Sequence, residues 1–326
     1  MIPALVLTAG LATRLRPLSF VRAKAAMPVA GQPLVQRILR WLAGAGVAEA
    51  VLNLHHLPET ITGVVGNGAA DGLRVRYSWE MPVLGSAGGP RHALSLLGSS
   101  AFLVVNGDTL TNVDVAALVA DHTRSGALVT MAVIPNTEPD KYSGLAIDGT
   151  GSFTGVVSRG SRQSSYHFVG VQVAQAEAFE TLPDNRPFES VRQLYPTLVA
   201  TRPGSVRTFV SSAEFFDIGT PADYLNTSLA FAARESHDSR LAPVRRSSQS
   251  ESGNPESQLE DCVVWDDVEV DDDVRLRRCI LTDGVRVPAR SSWQNMTIRV
   301  AHGELMKTER LVGELAIGPI NGSTLR

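Results

Sequence analysis

The 326-residue chain carries 30 basic against 33 acidic residues, a net charge of −3, with 44% hydrophobic and 19% charged residues. This is the balance of an ordinary globular protein; it excludes a nucleic-acid or membrane-surface role resting on bulk charge and leaves only a local basic patch open. Cys262 and Cys279 occur without CxxC or histidine spacing, so neither a disulfide framework nor a zinc site is expected; with no basic leader and no apolar run near ~20 residues, no membrane partner is expected and the cytoplasm is the expected location.

From the N-terminus to about residue 232, short β-branched runs alternate with helix-period segments. "ALVLTAG" reads as a strand, "PLVQRILRWLAGAG" as a helix with Leu34, Ile38, Leu39 and Leu42 on one face, and "EAVLNLHH" as the next strand. "AFLVVNGD", "VDVAALVADHTRSG" and "ALVTMAVI" repeat that order. Such crossover units predict an α/β fold built on a Rossmann-like, mostly parallel mixed sheet, whose ligands bind beyond the carboxyl ends of the strands. Residues 233–258, dominated by serine, charge and proline, predict a linker or mobile loop. Beyond them Val264, Val270 and Leu276 recur six positions apart, as do Val268, Val274 and Ile280, which predicts a short left-handed β-helix-like domain over 259–326. "MTIRVAHGEL" and "ERLVGELAI" read as its closing strands, and Trp265 and Trp293 are expected to pack where the two larger parts meet.

The stretch "LTAGLATRLRPLSFVRAKAAMPVAG" follows the first strand and carries Arg14, Arg16, Arg22 and Lys24. A glycine turn at a strand end gathers backbone N–H groups into a nest that binds phosphate, and Arg14 and Lys24 then lie where a polyphosphate would sit. Each cation alone reads equally as a solvated surface charge. The stretch holds neither a GxxxxGK[ST] loop nor a full dinucleotide fingerprint, so ATPase and hydride-transfer chemistry have no support.

Residues Ala9 to Ser19, followed by Ala23-Lys24-Ala25, resemble the signature G-G-x-G-T-R-L-x-P-L-T and P-K-P of the sugar-1-phosphate nucleotidyltransferases, with the spacing from Arg14 to Lys24 kept. Ala12 stands where the family has a glycine, and both prolines around Lys24 are absent. "EMPVLGSAGGPRHAL" is similar to the family's nucleobase and ribose segment, and "FLVVNGDTL" to its metal-binding strand. "EFFDIGTPADYL" resembles W-x-D-I-G-T-P-x-x-Y, with Phe215 at the aromatic position. "KYSGLAID" and "YHFVGVQV" resemble the sugar-side strands, but "VVSRGSRQSS" stands where many relatives carry E-K-P; Arg159 or Arg162 then offers a replacement cation, the alternative being a surface turn, and no carboxylate replaces the glutamate.

The resemblance implies transfer of a nucleotidyl group from an NTP to a sugar 1-phosphate, releasing pyrophosphate, by a catalytic domain spanning 1–232. It implies Arg14 and Lys24 as catalytic residues and Thr8, Ala9, Gly10, Leu11, Ala12, Thr13, Gly85, Ser86, Ala87 and Gly88 as nucleotide-binding. Gly144, Gly170 and Arg159 are implied at the sugar, and Asp108 and Asp217 as ligands of Mg²⁺, although a lone aspartate after a strand also reads as a helix cap. The form of "LGSAGG" favours GTP with mannose 1-phosphate, and UTP or dTTP stays open. A regulatory homologue that binds NDP-sugar without turnover is the alternative. The C-terminal part reads as structural or oligomerising, the latter through a second copy of the chain.

Overall fold

Strand β1 (Ala4–Leu7) is entirely apolar and its first three residues are buried, as a central strand covered on both faces requires. Helix α1 (Leu34–Gly44) follows the loop after β1 and turns Leu34, Ile38, Leu39 and Leu42 inward, the face that its spacing predicts. Then come β2 (Glu49–Leu54), α2 (Pro58–Val65), β3 (Arg74–Trp79), α3 (Gly85–Leu97), β4 (Ala101–Asn106), α4 (Val115–Ser125) and β5 (Val129–Pro135). A hairpin of β6 (Gly144–Ile147) and β7 (Phe153–Val157), then β8 (Tyr166–Gln175), short helices α5 (Glu177–Glu180) and α6 (Tyr195–Thr201), β9 (Val206–Val210) and the long α7 (Pro221–Glu235) complete this part of the computed structural model. The residues described are 2–235, 245–246 and 257–321.

The strands form one nine-stranded sheet in which β7, β6, β8, β4, β1, β2 and β3 lie side by side, with β5 against β8 and β9 against β5. β1 runs parallel to β2 and β4, and β2 parallel to β3; β8 is antiparallel to both β4 and β5. This is the mixed, mostly parallel sheet expected. Its carboxyl ends place the turn after β1, the turn after β4 and the approach to α3 along one edge, where an open α/β sheet binds its ligand. Leu5, Phe102, Phe179 and Tyr195 are buried in the main core cluster, each removing about 1.5–3 kcal/mol worth of apolar surface from water.

The chain groups into two compact units, Met1–Leu11 with Val35–Phe216, and Ala12–Leu34 with Asp217–Arg326. The first holds the sheet. These limits do not coincide with the boundary expected at 232, because the loop after β1 and helix α7 make their contacts with the C-terminal strands. Of the expected linker, 233–235 end α7, Arg245–Arg246 form a strand parallel to Glu269–Val270, and Gln258 begins the strand Gln258–Glu260; 236–244 and 247–256 lie outside the described residues.

In the second unit three parallel ladders stack as a β-helix. Gln258–Glu260, Arg275–Arg277 and Ser292–Gln294 form one; Val263–Val264, Ile280–Leu281 and Met296–Val300 another; Arg245–Arg246, Glu269–Val270 and Arg286–Val287 the third. The six-residue spacing puts Val268, Val270, Val274, Leu276 and Ile280 inside. Leu315–Pro319 closes the stack antiparallel to Met296–Val300. Trp293 packs against this β-helix core, whereas Trp265 donates its indole N–H to the Tyr224 hydroxyl on α7 at 2.8 Å. Cys262 and Cys279 are free thiols. Among the described residues no helix is long and apolar enough to cross a membrane.

Candidate active site

The turn after β1 is anchored by one buried side chain. Asn53, at the end of β2, accepts the backbone N–H of Thr8 at 2.6 Å and that of Ala9 at 3.3 Å, while the Thr8 hydroxyl donates to the Asn53 carbonyl. Thr8 and Ala9 therefore build the turn, and their N–H groups are already engaged. The space around Gly10 is open, and Leu11 is exposed beside it. Ala12 adopts the left-handed conformation, φ 48° and ψ 42°, so the loop reaches without glycine the backbone shape that the family's glycine favours.

Asn53 also donates to the Glu80 carboxylate at 2.7 Å, and the other Glu80 oxygen accepts the backbone N–H of Leu84 at 2.8 Å, just before α3. A buried polar chain thus joins the signature turn to the small-residue segment. Sequence reasoning passed over both Asn53 and Glu80. The signal was a polar residue at the buried end of each strand, "NLHH" and "WEMP".

At the start of α3 the N–H groups of Ala87 and Gly88 both donate to the Phe188 carbonyl, at 2.8 and 3.2 Å. Phe188 in turn donates its N–H to Leu84. A Cβ on Gly88 would stand 2.4 Å from the Arg186 carbonyl oxygen. The small residues of this segment therefore admit residues 186–190, and a Cβ on Gly85 too would stand 2.9 Å from the Phe188 carbonyl oxygen. Ser86 hydroxyl donates to Glu189 at 2.9 Å and accepts the Ser190 N–H at 2.9 Å. A π-helical turn, Ser190–Leu194, follows, an irregularity frequent at functional sites.

These elements enclose a cavity of about 360 Å³ lined by Ser86, Asn106, Gly144, His167, Glu189 and Arg192, among others. Its size is that of a small-molecule site. Gly144, expected at the sugar, lines this cavity, and a Cβ on it would meet the Ser165 side chain. Gly170 sits in a bulge of β8 at φ +82°, where a Cβ would be 2.6 Å from the Thr109 hydroxyl and 2.9 Å from the Asn106 amide nitrogen. The bulge thereby brings β8 against the turn that carries Asp108. Arg159 lies exposed on the loop after β7 and is not among the lining residues; the cation there is Arg192 and the carboxylate Glu189. No sequence pattern marks either, because their placement depends on the contact of 186–190 with α3.

Asp114, not Asp108, caps α4, accepting the Ala117 N–H at 2.9 Å. Asp108 lies beyond the end of β4, where it accepts the Thr109 hydroxyl at 3.5 Å. A two-residue antiparallel ribbon pairs Leu110–Thr111 with Phe215–Phe216, so the chain two residues after Asp108 runs beside the chain one residue before Asp217. The Phe215 ring meets His167 at 4.5 Å and Tyr142 at 5.9 Å between centroids. Among the described residues no group of three or more His, Cys, Asp and Glu could hold a metal by itself. Mg²⁺ needs no such cage, since one or two carboxylates with phosphate oxygens and water complete its shell, and an aspartate beyond a strand end, as Asp108 is, offers a carboxylate of that kind.

In the second unit, Arg14 and Arg16 line a cavity of about 350 Å³ together with Thr220, Ala222, Thr297 and Glu309. Arg16 also lies over the Phe20 ring at 5.2 Å. Lys24 begins a one-turn 3₁₀ helix, Lys24–Ala26, and is half-buried. Arg22 is not a phosphate-facing cation: both its carboxylate partners lie in the β-helix.

Residues 3–234 match the model of the family described as nucleotidyl transferase. The chain is 26% identical over 293 residues to a mannose-1-phosphate guanylyltransferase of Mycobacterium tuberculosis, covering 88% of this chain and 82% of that protein. Over 116 residues, 35% of this chain and 50% of the relative, it is 44% identical to an N-acetylmuramate alpha-1-phosphate uridylyltransferase of Neisseria meningitidis. Its fold is similar to that of HddC from Yersinia pseudotuberculosis, with a TM-score of 0.63 at 23% identity over 71% of this chain and the whole of that one. The chain belongs to the nucleotidyl transferase family, with sugar-1-phosphate nucleotidyltransferases as its relatives.

Proposed function

We propose that the chain transfers a nucleotidyl group to a sugar 1-phosphate, with GTP and mannose 1-phosphate as its substrate pair and GDP-mannose and pyrophosphate as products. The observation that carries the reading is the cavity of the first unit, in which Ser86 from the nucleobase segment, Asn106 from the end of β4 and Gly144 from the sugar segment line one space. The similarity to a mannose-1-phosphate guanylyltransferase along 82% of that protein supports this pair.

In this reaction a phosphate oxygen of the sugar 1-phosphate attacks the α-phosphorus of the NTP. One P–O bond forms, the bond to the β-phosphate breaks, and the electron pair leaves with pyrophosphate. The nucleophile is already an anion, so no covalent enzyme intermediate is required, and the protein's task is to align two mutually repelling anions. In the proposed assignment Arg14 holds the leaving pyrophosphate, and Lys24 the α-phosphate and incoming phosphate. Asp108 and Asp217 would hold Mg²⁺, which supplies charge neutralisation at the phosphates. Glu189 accepts from sugar hydroxyls, and Arg192 meets the sugar's phosphate or another acidic substituent.

A second reading has its own support. Arg192 lines the cavity and makes no ion pair among the described residues, and N-acetylmuramate carries a carboxylate that a guanidinium suits. UTP with that amino-sugar phosphate is therefore the rival pair, in keeping with the 44% identity to the meningococcal relative.

The test is pyrophosphate release with Mg²⁺, each NTP in turn, and mannose, glucose and N-acetylmuramate 1-phosphates. Release with GTP and mannose 1-phosphate supports the first pair, and release with UTP and N-acetylmuramate 1-phosphate replaces it by the second. A folded protein that binds NDP-sugar but releases nothing with any pair is the regulatory homologue instead.

A further inference from the structure

The loop carrying Arg14 and Lys24 is held by the β-helix at three places that bracket Lys24. Before it, Phe20 lies under the guanidinium of Arg299, 5.3 Å from the ring centroid. Arg299 is itself fixed: its side chain is 2% exposed, donates twice to Glu309 at 2.8 Å, and reaches the carbonyls of His302 and Glu304. After it, the Tyr224 hydroxyl donates to the Pro28 carbonyl and accepts the indole N–H of Trp265. Between them, Arg22 makes a fork to Asp283, Nε to one oxygen and Nη2 to the other, both at 2.6 Å. Nη2 also reaches Asp266, and the guanidinium lies 5.4 Å from the centroid of the Trp265 ring.

We infer that the β-helix is the scaffold of the signature loop, and that Arg22 is a positioning residue whose fork to Asp283 sets where Lys24 stands. The inference rests on the role proposed for Lys24. It assigns the C-terminal domain a part in the reaction that no resemblance implies. Three observations separate it from an incidental surface pair. The Arg22 side chain is 12% exposed, and the planar fork fixes orientation as well as charge. Burial pushes the Asp283 carboxyl above its ordinary value against the pull of Arg22, as expected of a desolvated pair. The Asp266 arm, 74% exposed, is the weaker one.

The experiment compares Arg22→Ala, Arg22→Lys, Asp283→Asn and the double variant Arg22→Ala/Asp283→Asn in the full chain. Misplacing one catalytic cation by about an ångström costs up to ~10²-fold, so Arg22→Ala and Asp283→Asn should each lower kcat by about 10- to 100-fold, with a much smaller change in the KM for NTP. Arg22→Lys, which keeps charge but not the fork, should recover part of the loss, and the double variant should be no worse than the poorer single one. Hydrogen exchange read at the amides of residues 20–28 should quicken in both single variants, whatever the wild type turns over. Full kcat in folded Arg22→Ala overturns the inference. So does unchanged exchange across 20–28, a result that stands even if the alanine variant folds poorly, because Arg22→Lys and Asp283→Asn give the same readout. A wild type inactive with every substrate pair refutes the proposed function instead, and exchange alone then decides whether the β-helix holds the loop.

Discussion

The Asn53 amide and the Glu80 carboxylate, 2.7 Å apart and both under 5% exposed, form the centre of a buried chain from Thr8 to Leu84. Every link uses a donor or acceptor that has no water to fall back on, so breaking the centre strands groups on both sides. Asn53→Ala leaves the Thr8 N–H and one Glu80 oxygen without their partner, at about 1–3 kcal/mol for each stranded group. The expected outcome is a lower urea midpoint with an unchanged m-value, and a raised KM for NTP, because the signature turn and the start of α3 lose their common anchor. Glu80→Gln, which keeps an acceptor oxygen, should show the same pattern at smaller size.

Lys24→Ala and Arg14→Ala should each lower kcat on the order of 10²-fold or more, the usual cost of deleting one preorganised charge at a transition state. Lys24 is half-buried and Arg14 exposed, so neither truncation opens a cavity in a core. Circular dichroism and thermal midpoints should therefore stay close to those of the wild type. Undiminished turnover by the Lys24 variant would remove that residue from the mechanism.

Much of the fold was legible because its signals are local. The Leu34, Ile38, Leu39 and Leu42 spacing, the apolar strands before Thr8 and Gly107, and the six-residue repeat through Val264 and Val270 each state a burial pattern within a short window. The grouping of 12–34 with the C-terminal strands was not, since it depends on pairs such as Arg22 with Asp283, 261 positions apart. Four cations in one loop looked alike in sequence, yet Arg22 is spent on carboxylates and Arg16 rests on a ring. Glu189 and Arg192 were illegible for a related reason: a π-helical turn has no sequence period of its own, and its docking on α3 is tertiary. The small residues at 85–88, where the resemblance implies a nucleobase site, also have a task that the sequence does not announce: the N–H groups of Ala87 and Gly88 hold the chain's own 186–188 segment.

Gly88 tests that last point. Its α-carbon faces backbone, with the Arg186 carbonyl oxygen 2.4 Å and the Phe188 nitrogen 3.3 Å from where a Cβ would stand, so no side-chain rotation can relieve an added methyl. Gly88→Ala should cost about 1–3 kcal/mol through forced displacement of 186–190. Because Glu189 and Arg192 ride on that segment, the KM for sugar 1-phosphate should rise more than the KM for NTP. An equal rise in both would mean that the segment does not carry the sugar contacts.

Away from the cavity, His122 on α4 predicts how stability follows pH. It is 2% exposed; Gln175 amide nitrogen faces Nε2 at 2.9 Å, so Nε2 accepts, and Nδ1 carries the proton that it donates to Thr130 at 2.9 Å. Burial pushes the imidazole pKa below its ordinary value of 6.5, with Asp121 pulling weakly the other way. The native state therefore resists a proton that the unfolded chain accepts. Between the depressed native value and 6.5 the unfolded state binds more protons, so stability is full above about pH 6.5 and declines as pH falls below it. Replacing the ring by an amide, His122→Asn, should cost stability at pH 8 through the lost Gln175 contact, yet remove this slope. Urea midpoints of the two proteins should accordingly draw together from pH 8 to pH 5, and a gap that stayed constant would mean that His122 does not titrate with unfolding.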